Sequence, residues 1–309
     1  MIDLYCLGGA SVDLIIQAPR LPRDGEKLFV HHAGQSAGGF IANTACAAAK
    51  LGLRTAWGGL LGGDAFAKTI MNDFDLFGVE TSDVVFLEES STDFTVVILP
   101  PNGERTILIV PTLPTPPPLT RSIKQSLERA RLGYTVFYER DWFIEVAQLI
   151  HAGGGKVVVD MEVNTLKDID AAKAMLRHTD IVFSSADGLR VLTKSSTADD
   201  GVDEILSMGP EIVVLTMGSE GAVVFTPKAR CSTAVYDVPV KDSTGAGDCF
   251  HAAFLYGILS DWNFQQCLEF ASAASAILVQ KIGARGGLPS LLEVQQFMRT
   301  NQKKEIHIQ

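Results

Sequence analysis

The chain has 309 residues, 47% hydrophobic and 20% charged, which leaves enough length to bury a core and excludes a disordered chain, a coiled coil or a fibre. Against 26 basic residues stand 36 acidic ones, a net charge of −10, so the chain lacks the basic footprint of a nucleic-acid binder. No apolar run approaches the roughly 18 to 20 residues of a membrane span, and the segment MIDLYCLGGASVDLII has no basic leader region. Five cysteines without C-x-x-C spacing argue against a disulfide framework or a zinc site, and a reducing cytoplasm is the expected location.

In chain order, the amino terminus reads as a strand at once. SVDLII (11–16) and KLFVHH (27–32) follow as strands, then an Ala-rich helix over 41–51 that stops at Gly52. A second helix carries Phe66, Ile70, Phe74 and Phe77 on one face and stops at Gly78, a C′ glycine. FTVVILP (94–100) and ERTILIV (104–110) read as strands joined through Pro-Asn-Gly, and the stretch PTLPTPPPL (111–119) reads as a stiff connection. From residue 134 the strand-like runs YTVFY (134–138), VVVD (157–160), IVFS (181–184) and IVVLT (212–216) alternate with helix-period stretches such as 142–152 and 166–178, the pattern of a parallel sheet covered on both faces. AVVFT (222–226) follows Gly218 and Gly221 closely and predicts an antiparallel hairpin. The expectation is one α/β domain over residues 1–309. Its lid would be a small β-sheet from segments of about 11–35 and 91–112.

The sharpest chemistry lies in KDSTGAGDCFHAAFLYGIL (241–259). Phe250, Ala253, Phe254, Gly257 and Ile258 form a helix-period stripe, so a helix starts near Gly245 or Ala246. Its first turn offers unpaired N–H groups that small residues leave open to an anion. Asp248 sits in that turn. By itself it reads as a carboxylate capping a helix; beside Gly245, Ala246 and Gly247 it places a potential base within one turn of an anion hole, which is what phosphoryl transfer needs.

This segment resembles the signature of the PfkB family of carbohydrate kinases, proteins of the ribokinase-like fold, at Asp242, Gly245, Ala246, Gly247 and Asp248, followed by the small pair Ala252 and Ala253. The resemblance runs over nearly the whole chain. In AGGFIANTACAAAKLG it identifies Gly38, Gly39 and Asn43 as contacts to sugar hydroxyls, with Ile41 departing from the small residue usual there. Asp13, in GGASVDLI, matches an early acid that accepts from substrate hydroxyls; taken alone it reads as a turn-facing acid at a strand end. LTMGSEGAVVF is similar to the nucleotide segment, placing Thr216, Gly218, Ser219 and Gly221 near ATP. The implied activity is ATP-dependent phosphorylation of a sugar or sugar-like alcohol, with Asp248 as general base, Mg²⁺ on the ATP phosphates, and K⁺ or another monovalent cation near Asp242 and Thr244.

Two departures stand beside this. The N-x-x-E element that many members use to organise Mg²⁺ is replaced by Ser185, Ala186, Asp187 and Gly188. Asp187 or Asp160 could supply the carboxylate, and both could equally be strand-end acids. ERTIL (104–108) and VDMEV (159–163) look more like the ketohexokinase-like branch, in which a strand-end arginine near the sugar is matched by Arg140; an exposed loop arginine is the other reading. His251 is expected to face away from the cleft, and Cys249 to be a packing residue. GGGK (153–156) precedes a strand and lacks P-loop spacing. The alternatives of function are a nucleoside kinase of the same fold and a kinase-like sugar sensor without turnover. The lid strands are apolar on both faces, so a lid-to-lid homodimer is expected.

Overall fold

The computed structural model describes residues 1–100 and 106–303. Its strands and helices follow one another as β1 (Ile2–Leu7), β2 (Ser11–Gln17), β3 (His31–Gly38), α1 (Phe40–Lys50), β4 (Thr55–Gly62), α2 (Ala65–Phe77), β5 (Glu80–Leu87), β6 (Phe94–Leu99) and β7 (Thr106–Val110). The chain continues with α3 (Arg121–Leu127), β8 (Ala130–Thr135), α4 (Arg140–Ala152), β9 (Lys156–Met161), α5 (Ile169–Leu176), β10 (Ile181–Ser185), α6 (Ala186–Thr193) and α7 (Ala198–Met208). It closes with β11 (Ile212–Thr216), β12 (Ala222–Phe225), β13 (Arg230–Thr233), α8 (Ala246–Leu259), α9 (Phe264–Leu278) and α10 (Leu291–Thr300).

Among the described residues two sheets form, one of nine strands in the order β13-β12-β11-β10-β9-β8-β1-β4-β5 and one of four in the order β3-β2-β6-β7. From β11 to β5 the large sheet is parallel, and β12 and β13 add an antiparallel edge. Alternate side chains divide its core in two. Leu4, Cys6, Val158 and Phe183 pack toward α1, α8 and α9, whereas Tyr5, Leu7, Val159 and Val182 pack toward α4, α5 and α7. Both layers are buried, which is why these strands read as continuous apolar runs. The chain leaves β1 for the small sheet and returns through α1 to β4, on the side of β1 away from β8. The crevice at the carboxyl ends of β1 and β8 therefore lies at a topological switch point, where open α/β sheets bind ligands.

The α/β architecture with its small separate lid sheet agrees with expectation, and some boundaries differ. The strand expected at 27–32 begins at His31, because β2 ends at Gln17 and pairing starts with Gln17 opposite His31; Phe29 lies outside the sheet and is fully exposed. The strand expected at 134–138 is β8, Ala130–Thr135. Pairing of Ile2 with Ala130 through Cys6 with Tyr134 overrides the weak strand preference of Ala-Arg-Leu-Gly, and the aromatic run after Thr135 leaves the sheet. The helix expected from 166 begins at Ile169, where Asp168 accepts the Ala171 N–H. Gly78 ends α2 in the left-handed conformation, φ 76°. The Pro-Asn-Gly turn and the first residues of ERTILIV lie outside the described residues.

Candidate active site

Helix α8 opens at Gly245, whose φ of 76° places it in the left-handed region, and an added Cβ there would stand 2.8 Å from the Ala284 carbonyl oxygen. Glycine at this position thus lets the 280–287 loop press against the helix entrance. Two residues on, Gly247 is exposed and a Cβ would meet nothing within 4 Å. The helix entrance is therefore open beside Gly247, while the Ala246 N–H is taken by the Ser243 carbonyl at 3.2 Å; an open helix N-terminus is a place that can receive an anion. Asp242 fastens the approach to this turn: one oxygen accepts from the Thr244 N–H (2.9 Å) and hydroxyl (2.6 Å), the other from the Gly283 N–H (2.8 Å).

Asp248 projects from the same turn and meets α1. The Asn43 amide donates to Asp248 Oδ2 at 2.8 Å, and Thr44 Oγ1 lies 3.5 Å from the Asp248 carbonyl. Burial raises the Asp248 carboxyl most, the Asn43 hydrogen bond lowers it, Glu162 raises it, Arg285 lowers it and Asp13 raises it, leaving it pushed up to about 7. A carboxyl held there is an efficient proton acceptor near neutrality.

On the lid side, the Thr95 hydroxyl donates to Asp13 Oδ1 at 2.7 Å. Gly38 passes directly over that carboxyl, and a Cβ on it would stand 2.6 Å from Asp13 Oδ2. Gly39 caps α1 with φ 90°, its backbone tight against Ala10. Ile41, the departure from the small residue expected, is fully buried and fills the space that side-chain-free Gly8 leaves. Asp13, Gly38, Asn43 and Asp248 thus come together from β2, β3, α1 and α8.

The carboxyl end of β9 contributes Asp160 and Glu162. Burial and the repulsion of Glu162 and Asp248 hold Asp160 well above the usual carboxylate range, and burial raises Glu162 as well. Tyr134 donates to Asp160 Oδ2 at 3.1 Å. Asp187 instead sits exposed on α6, ion-paired with Arg190, and Arg140 opens α4 with its guanidinium turned to Asp141. Neither joins the cluster around Asp248. At the carboxyl end of β11, Thr216 donates to the Ser184 carbonyl, Gly218 and Ser219 are exposed, and Gly221 lets the Thr233 backbone approach.

His251 lies in the core, stacked on Phe183 at 4.1 Å with Nδ1 2.9 Å from the Tyr134 hydroxyl. Burial holds its pKa down to about 3, so it stays neutral. Cys249 is buried and its thiol is pushed up by burial, in keeping with packing. Sequence reasoning missed Arg285, 7% exposed, which contacts Asn43, Gly38 and Asp73. A lone arginine in a glycine-rich loop carries no such signal; the small neighbours Ala284, Gly286 and Gly287 were the available hint of a tightly packed loop. Glu162 was visible as part of VDMEV without a role.

The model of the pfkB family carbohydrate kinases matches residues 1–291. A ribokinase of Arabidopsis thaliana is 29% identical over 311 residues, covering 96% of this chain and 81% of its own. A 5-dehydro-2-deoxygluconokinase of Shouchella clausii is 25% identical, covering 94% of each. The solved structure of an Arabidopsis thaliana ribokinase complexed with ribose and ATP superposes with a TM-score of 0.86 at 27% identity, covering 96% of this chain and 99% of that one. With the family model matching residues 1–291, the chain belongs to the pfkB family of carbohydrate kinases.

Proposed function

We propose that this protein transfers the γ-phosphoryl group of ATP to a hydroxyl of a sugar. The observation that carries the reading is the position of Asp248, a carboxyl pushed up to about 7 in the first turn of α8, one residue from the open Gly247, and hydrogen-bonded to Asn43, whose oxygen shares Arg285 with the carbonyl of Gly38 lying over Asp13. In this reading the sugar lies against Asp13, Gly38, Gly39 and Asn43, with Arg140 at the margin of the cleft. Asp248 accepts the hydroxyl proton, and the amides at 245–248 stabilise charge on the phosphoryl group in flight. Thr216, Gly218, Ser219 and Gly221 border the nucleotide. Residues 1–309 form one domain whose small sheet is the lid, working in the cytoplasm.

Mg²⁺ fits this site on the chemistry of its donors. Glu162 and Asp160 would offer it hard oxygens, and a divalent cation would offset the repulsion that raises Asp160 beside Glu162. Among the described residues no group of three or more His, Cys, Asp or Glu could hold a metal by itself, which suits an ion carried largely by phosphate oxygens. When bound it supplies neutralising charge to the ATP phosphates. Asp187, exposed in the first turn of α6, would reach such an ion only through water and after leaving Arg190. The carboxylate and hydroxyl of Asp242 and Thr244 suit a monovalent cation such as K⁺ that stiffens the same loop.

Sugar-dependent ADP release over ketoses, aldoses, acidic sugars and nucleosides tests the reading. Turnover with a sugar supports it; turnover confined to nucleosides would move the substrate class. Tight sugar binding without turnover would replace the enzyme by a sensor. Asp13→Ala should weaken sugar binding by about 1.5 to 3 kcal/mol per lost charge-assisted hydrogen bond, with ATP affinity unchanged in calorimetry. Equal losses for both ligands would give Asp13 a purely structural role.

The lid points to a homodimer. β7 is an edge strand on which Ile107, Leu108 and Ile109 are 45%, 50% and 62% exposed, so both of its faces offer apolar surface to a second lid. Light scattering should give twice the chain mass, and Ile107→Asp should halve it and weaken sugar binding. A wild-type monomer with full activity would remove the dimer and leave the kinase reading in place. Ile98, though apolar, is buried and would not serve as an interface probe.

A further inference from the structure

Arg285 is a buried charge in the 280–287 loop, and its bonds do not serve that loop. Nε donates to Asn43 Oδ1 at 2.9 Å, and the two terminal nitrogens donate to the Gly38 carbonyl at 2.9 Å and to Asp73 at 3.2 Å. The guanidinium lies 5.7 Å from the centre of the Phe74 ring, so α2 supplies both its counter-charge and one wall. Burying a guanidinium is costly unless each face of the fork is used, and here three partners on three elements use it.

The consequence falls on Asn43. A primary amide can present either its oxygen or its NH₂ group to a neighbour, and a bare asparagine beside a carboxyl of elevated pKa could turn either end toward it. Arg285 has donors alone, so it captures the Asn43 oxygen and leaves the NH₂ group aimed at Asp248 Oδ2, 2.8 Å away. That end favours the ionised carboxylate, the form a base needs. The same guanidinium holds the carbonyl of Gly38, the residue lying over Asp13. One side chain thereby ties the sugar-side turn to the catalytic helix.

We propose that Arg285 is a positioning residue that fixes the Asn43 amide, and through it the Asp248 carboxylate, in register with the Gly38 turn; the catalytic consequence rests on the kinase reading above. The groups that face Asp248 are Asp13 from β2, Glu162 and Asp160 from the end of β9, Tyr134 from β8, Asn43 from α1, Cys249 on its own helix and Arg285. Arg285 is the cation among those groups, and a neutral substitute should make Asp248 harder to ionise.

Arg285→Met and Arg285→Lys test this. Methionine keeps the length of the stem and removes the charge and the fork. It should lower kcat by about 10- to 100-fold, leave the KM for ATP unchanged, and move the acid limb of kcat/KM upward by about one pH unit. Lysine keeps the charge and loses the fork, so the acid limb should return toward wild type while kcat stays low. If methionine does not fold, the lysine variant decides by itself: full kcat with lysine would overturn the proposal. An unmoved acid limb in a folded methionine variant would do the same. Titration of the Asp248 carboxyl by ¹³C NMR reads the shift without turnover. A wild-type protein lacking sugar kinase activity would therefore overturn the kinase reading and still leave the link from Arg285 to Asp248 decided.

Discussion

Asp248→Asn should reduce kcat by about 10²- to 10⁴-fold, the usual contribution of a general base, while sugar binding persists. Asparagine preserves the shape of the side chain and can still accept from Asn43, so the loss reports the proton acceptor rather than the packing of α8 and α1. Two pH experiments accompany it. Because the Asp248 carboxyl is pushed up to about 7, kcat/KM of the wild type should fall about tenfold per unit as pH drops below that value. The stability effect has the opposite sign. A carboxyl raised in the folded state binds more protons folded than unfolded between about pH 4 and 7, so its ionisation costs stability as pH rises through that window. The asparagine variant should melt at the same temperature as wild type below about pH 4 and higher at pH 8. A variant keeping half of the wild-type kcat would remove Asp248 from the chemistry.

Gly247→Val should reduce kcat by about 10²- to 10³-fold with little change in melting temperature, the scale of losing a donor that stabilises charge in the transition state. Gly245 and Gly247 stand at the same helix entrance, and their surroundings separate the effects of a side chain at each. A side chain on Gly245 collides with the Ala284 backbone from a left-handed φ, so its replacement should damage folding and activity together. A side chain on Gly247 points into open space beside the first turn of α8, and valine is the better helix former of the two. Circular dichroism melts measured beside kcat separate the cases. Normal activity per folded molecule of the Gly247 variant would contradict the anion-hole assignment.

What the sequence made legible follows from locality. The entry of α8, the left-handed Gly78 and the alternation of apolar strands with helices are written in short windows, where propensity and capping operate. The strands Thr55–Gly62 and Glu80–Leu87 escaped. The first is glycine-rich, the second polar in part, and their place in the large sheet comes from pairing with β1 and with each other across distant sequence. Ala130–Arg131–Leu132–Gly133 was passed over for the same reason.

The candidate site divides similarly. Asp13, Gly38, Asn43 and Asp248 stand in segments with recognisable character, and the structure brings them together. Arg285 and Glu162 gain meaning only through neighbours 242 residues away in one case and through electrostatic contact with Asp248 and Asp160 in the other. Asp187 was a possible substitute for a missing carboxylate and Arg140 a match to a strand-end arginine, but each turns to an opposite charge on its own helix.

The most direct measurement is ³¹P NMR of the protein with ATP, Mg²⁺ and a sugar that supports ADP release. One sugar phosphomonoester should appear for each ADP formed, and its appearance should be lost in Asp248→Asn. ADP accompanied by inorganic phosphate alone, or no ADP from any sugar that binds tightly, would contradict the kinase reading.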